Sequence, residues 1–81
     1  MEVDTMITPY EKIQLMNRGM TVIVRRIEQV TRNPIAQTYA TDVYKAREEA
    51  EQGSTECVYQ LLDLFTERKI ETIAGSKTVA K

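Results

Sequence analysis

Arg18, Arg25 and Arg32 recur every seven residues, and Arg47 stands alone further on. A guanidinium is a planar fork of five N–H donors that matches phosphate and carboxylate oxygens. Seven residues are close to two helical turns, so on one helix the three would form a stripe. Such a stripe has a plain explanation as a solvated face, helped by Glu28 four residues before Arg32. Its functional explanation is an anion-binding or subunit-contact surface. Tyr10, Tyr39, Tyr44 and Tyr59 are the aromatics besides Phe65. Each can stack on a base and hydrogen-bond through its hydroxyl, or simply pack.

Other chemistry is scarce. The chain has no histidine and a single cysteine, Cys57. The chain therefore offers no Cys/His cluster for a structural zinc site, no second cysteine for an intrachain disulfide and no histidine for catalysis. Glu48, Glu49 and Glu51 would face different directions on a helix and suit a solvated surface. Cys57 lies among apolar neighbours, where a thiol behaves as a small hydrophobe. The expectation is a protein that is not an enzyme, uses no cofactor or metal, and works by binding.

Eleven basic and twelve acidic residues give a formal charge of −1. That balance offers no field for a polyanion, so DNA is not an expected partner. No run of 18 apolar residues is present to span a membrane, and MEVDTMI lacks the basic and apolar regions of a signal peptide. With one thiol, a cytoplasmic location is expected.

The elements that would carry these side chains read as helices. Thr8, Pro9 and Glu11 form a capping box with proline at the first helical position. Ile13, Met16, Met20, Ile23, Ile27 and Val30 follow at gaps of 3, 4, 3, 4 and 3, a heptad seam. The phase holds across Gly19, which predicts one helix over about 9–32. Thr21–Val24 is rich in β-branched residues and would suit a strand, but Arg25, Arg26, Glu28 and Gln29 break the alternation. Asn33-Pro34 ends the helix.

A second helix is predicted over about 35–72, with Thr41 as a plausible cap if it starts late. Its stripe is Tyr39, Val43, Ala46, Ala50, Cys57, Leu61 and Phe65. The phase again holds across Gly53, and residues 75–81 fray. Ala46, Ala50, Gly53 and Cys57 are small where the first helix offers large residues, a pattern for close packing. The predicted fold class is thus all-α, one small domain, an antiparallel helical hairpin. At 1.5 Å per residue the helices would be roughly 36 Å and more than 50 Å long. The overhang would leave apolar surface in water, with Leu61, Leu62 and Phe65 as the interface of a homo-oligomer.

Glu11-Lys12-Ile13-Gln14-Leu15-Met16-Asn17-Arg18, and Ala46-Arg47 followed by Gln52-Gly53, are similar to stretches of the anti-CBASS sponges. These small phage proteins sequester cyclic oligonucleotide signals of bacterial immunity. The resemblance covers about half the chain in two patches. It implies a helical hairpin, a homo-oligomer (commonly a hexamer), and nucleotide pockets between subunits. This chain departs from the family pattern at Thr5, where a tyrosine is usual, and at Met20, where a lysine is usual. Arg47 is the matched basic position. The expectation is capture of a cyclic di- or trinucleotide, with Arg47, Arg18 and Arg25 on phosphates and Tyr10 and Tyr44 against bases. The alternative is a protein–protein module that docks through an apolar C-terminal helix.

Overall fold

The computed structural model describes residues 7–76, and it overturns the all-α hairpin. Two short helices and four strands follow in the order α1 (Pro9–Asn17), β1 (Val22–Glu28), β2 (Pro34–Ala40), α2 (Val43–Glu51), β3 (Cys57–Asp63) and β4 (Lys69–Ala74). The strands form one antiparallel sheet in the order β2-β1-β3-β4. Thr5 and the tail at 77–81 lie outside the described residues.

The first helix begins as its sequence requires. Thr8 accepts the Glu11 N–H through its hydroxyl, and the Glu11 carboxylate accepts the Thr8 N–H. The predicted helix over 9–32 nevertheless stops at Asn17. Gly19, at φ +88°, donates to the Met16 carbonyl, and Met20 donates to the Leu15 carbonyl. Those two bonds are a Schellman motif, which needs the left-handed conformation that glycine adopts at least cost.

Beyond it, Val22, Ile23 and Val24 are all buried. Val22 and Val24 pack in a cluster with Ala46 and Ala50 of α2, while Ile23 packs with Leu15 and Met16 of α1. A strand covered on both faces reads as a continuous apolar run. Its phase then coincides with a heptad seam by accident.

The predicted second helix, 35–72, divides into β2, α2, β3 and β4. Asp42, not Thr41, caps α2, accepting the Lys45 N–H at 2.9 Å. Ala46 and Ala50 are fully buried, and their small side chains let α2 lie close on the sheet. The large-against-small pattern therefore operates between helix and sheet. Gly75 and Ser76, predicted to fray, are tied down: Gly75 donates to the Cys57 carbonyl and Ser76 to the Glu51 carbonyl.

Leu61 and Leu62 of β3, and Leu64 just beyond its end, are buried. The apolar overhang that implied an oligomer is absent, and Leu61 and Leu62 offer no surface to a partner. Phe65, in the β3–β4 turn, is 68% exposed. No helix among the described residues is long and apolar enough to cross a membrane.

Candidate functional site

The sheet divides the five predicted ligand-binding residues. Arg18 and Tyr10 belong to α1 and its C-cap, and Arg25 points to the same face of the sheet from β1, but only Arg18 lines the cleft there. Tyr44 and Arg47 lie on α2, which covers the other face.

On the α1 face, a cleft of about 200 Å³ opens between α1 and β2, lined by Glu11, Gln14, Leu15, Arg18 and Tyr39. Antiparallel register places Ile23 opposite Tyr39 and Arg25 opposite Gln37. Side chains alternate along a strand, so Arg25, Gln37 and Tyr39 share that face. They are joined in a chain of donors: Arg25 Nε donates to Gln37 Oε1 at 3.1 Å, and Gln37 Nε2 donates to the Tyr39 hydroxyl at 3.1 Å. Gln14 Nε2 likewise donates to the Tyr10 hydroxyl at 2.8 Å.

The direction of these bonds decides what the cleft can take. Each acceptor in the chain is used by its neighbour. The Tyr39 and Tyr10 hydroxyls keep a proton to give, and the Arg25 guanidinium keeps its terminal N–H groups. No carboxylate among the described residues lies within salt-bridge distance of Arg18 or Arg25. Glu11 supplies the one acidic group on the wall, with one oxygen committed to its cap. The arrangement is rich in donors and suits an acceptor-rich ligand such as a phosphate.

Arg47 is differently placed. Its Nε and Nη2 donate to the two carboxylate oxygens of Glu71 at 2.9 and 3.0 Å. That bidentate fork raises the Arg47 pKa and holds Glu71 below the usual carboxylate range. The guanidinium is thus engaged by β4. Tyr44, 80% exposed, borders a wide depression with Lys45, Arg47, Glu48 and Glu51. Two of its carboxylates would oppose an anion there.

The arginine stripe does not exist as a stripe. Arg18 is the C-cap of α1, Arg25 lies on β1, and Arg32 occupies the β1–β2 turn at φ +64°. Arg26 points to the opposite face from Arg25, where its Nε donates to the Cys57 thiol at 3.4 Å. That contact raises the Arg26 pKa. Cys57 itself is buried.

Gln37 and Gln14 were not legible as site residues, because each contributes through a partner supplied by another element. The helical stripe predicted from the sequence places Tyr39 in packing, whereas β2 sets it on the cleft wall. Period-two alternation of Gln37 and Tyr39 was the available signal, and it lay hidden under the predicted helix. No group of three or more metal-ligating side chains is assembled among the described residues. Comparison with protein-family models, curated proteins and solved structures finds no match.

Proposed function

We propose that this protein is a non-catalytic, cytosolic binding protein that holds a phosphate-bearing nucleotide in the cleft between α1 and β2. The donor chain Arg25–Gln37–Tyr39, with Arg18 across the cleft, carries this reading. The guanidinium groups take the phosphate oxygens, and Tyr10 and Tyr39 offer hydroxyls and ring faces to the sugar and base. Glu11 can accept one N–H or O–H from the same ligand. Capture occurs without turnover, since the cleft holds no activated nucleophile and no histidine base.

A cleft of about 200 Å³ is below the usual range for a drug-sized ligand. It accommodates one phosphate with its sugar, leaving the remainder of a larger ligand outside. Cyclic di- and trinucleotides, the class suggested by the sponge resemblance, are the first ligands to test. The resemblance implies a helical hairpin that this fold lacks, so the donor geometry of the cleft is what supports the reading.

The test is a thermal-shift series with cyclic nucleotides, linear nucleotides and inorganic phosphate. A ligand present at 100 times its dissociation constant stabilises the folded state by about 2.7 kcal/mol. In a domain this small that raises Tm by roughly ten degrees. A cooperative melt unmoved by every nucleotide would overturn the proposal.

A second reading is favoured by Phe65. Its exposed ring borders a mainly apolar groove of about 140 Å³ formed with Met16, Met20 and Leu64. An exposed aromatic beside methionines is a common protein-docking arrangement. The docking element moves from the C-terminal helix, which is absent, to this turn. Its occupant would be an apolar side chain of another protein. Phe65→Ala would abolish that contact and leave nucleotide shifts unchanged.

A further inference from the structure

The two edges of the sheet are not alike. β4 carries Lys69 and Glu71 within six residues, and its pairing with β3 is broken by a bulge at Leu61/Leu62. β2 carries no charged residue in seven, PIAQTYA. Charge and bulges are the usual means by which an edge strand avoids pairing with another chain. In β2 the only such devices, Pro34 and a bulge opposite Arg26/Ile27, lie at its first residues. The stretch from Ala36 to Ala40 is left without them.

Backbone hydrogen bonds show which groups that edge presents. Gln29 donates to the Glu56 carbonyl and Leu64 to the Thr21 carbonyl, so odd-numbered residues of β1 turn toward β3. Even-numbered ones turn toward β2, as the Glu28 N–H to Asn33 carbonyl bond agrees. In an antiparallel ladder the N–H and C=O of one residue point the same way. Ala36, Thr38 and Ala40 therefore face β1, and Gln37 and Tyr39 present their N–H and C=O to the free edge.

We propose that β2 pairs antiparallel with β2 of a second copy, about a two-fold axis at Thr38, to give a continuous eight-stranded sheet. This register sets Gln37 opposite the partner's Tyr39 and the reverse, which supplies about four reciprocal backbone hydrogen bonds. It satisfies every outward group of the two residues and avoids the bulge. Side chains are self-complementary in it: Thr38 meets its own copy, a favourable cross-strand pair, and Ala36 meets Ala40. A second copy is the occupant because the surface fits itself under a two-fold operator. Five paired residues are a contact roughly 17 Å long, at the small end of specific interfaces. The dimer is accordingly reversible, with Kd in about the micromolar range.

One contact opposes it. Glu49 accepts the Thr38 hydroxyl at 2.9 Å, so two Glu49 carboxylates approach each other beside the axis. The pairing does not depend on the nucleotide reading. If both hold, two Arg25–Gln37–Tyr39 chains share one face of the extended sheet, and each cleft is continued by its copy.

Sedimentation velocity across about 5–500 μM, with amide hydrogen exchange, tests this. The expected result is a monomer–dimer equilibrium in which the Gln37 and Tyr39 amides gain protection with concentration. The Thr72 amide, outward on β4, does not. Thr38→Asp, which adds two charges at the axis, weakens the dimer at least tenfold. Glu49→Gln, which removes two, tightens it several-fold, a gain that a damaged fold cannot imitate. A chain monomeric throughout overturns the proposal. So does a dimer whose Gln37 and Tyr39 amides exchange as freely as that of Thr72, or one indifferent to Glu49→Gln. Nucleotide shifts measured on monomeric Thr38→Asp separate the outcomes: binding there with no wild-type dimer leaves the cleft standing and removes the interface alone.

Discussion

The ring end of Tyr59 lies directly against Gly53, and its hydroxyl accepts the Ser54 N–H at 3.2 Å. A Cβ at position 53 would overlap the phenol, which is buried and held by that bond. Gly53→Ala is expected to destabilise the protein by about 1–3 kcal/mol, the usual range for overpacking. Tyr59→Phe removes the nearest atom, so the alanine should cost less in that background. Urea unfolding of the two single variants and the double variant measures the coupling. Strict additivity would mean that the ring and Gly53 do not share the space.

Cys57 is 3% exposed and lies behind α2 with Ala46 and Ala50. A thiol reagent should therefore react with the native chain only through opening of the sheet and helix. The expected labelling is slow in buffer, complete at one thiol per chain in denaturant, and faster in Gly53→Ala. The dependence on stability follows because modification of a buried group tracks the population of the open form. Fast labelling of the stable native protein would place Cys57 at the surface.

How much of this fold the sequence disclosed varies with the range of the physics involved. The capping box at Thr8 and Glu11 is local, and it formed as predicted. Gly19 was legible as a possible break, yet the heptad spacing across it argued for continuity. The spacing was real, but Met16 and Met20 serve α1 and its Schellman end, while Ile23 serves the sheet. Val22–Val24 illustrates the limit: a strand buried on both faces loses its alternation, and then only long-range cover distinguishes it from a helix. For the site, Arg18, Arg25 and Tyr10 were recognisable as groups able to meet an anion. Of the three only Arg18 lines the cleft; Arg25 is linked to it through Gln37 and Tyr39 of β2, which strand pairing alone brings there, and Tyr10 through Gln14.

The Arg47–Glu71 fork ties α2 to the edge strand β4. Arg47 holds the Glu71 carboxyl below its ordinary range, so the folded chain keeps Glu71 ionised to lower pH than the unfolded chain. The resulting stabilisation is present above the unfolded carboxylate value of roughly 4.3. It is lost as pH falls through the folded value, where both states are protonated. Between pH 7 and pH 3 the wild type should lose more stability than Glu71→Gln. The difference should shrink in 1 M salt, since the pair is partly exposed and screened. Equal pH profiles for the two proteins would show that the pair adds nothing.

The two arginine groups differ in what already engages them. Arg18 and Arg25 have no carboxylate partner among the described residues, whereas Arg47 is engaged by Glu71 on the other face. Removing a charge-assisted hydrogen bond to a ligand costs about 1.5–3 kcal/mol, which is roughly 10- to 100-fold in Kd. Arg25→Ala and Arg18→Ala should each weaken nucleotide binding by that factor, and Arg47→Ala should leave it unchanged. Gln37→Ala should weaken it less than Arg25→Ala, because it frees the guanidinium without removing it. Isothermal titration of the four variants with the ligand found by thermal shift gives the comparison. If Arg47→Ala proved the most damaging, the ligand would lie on α2, and the cleft beside Tyr39 would be only a packing seam between α1 and the sheet.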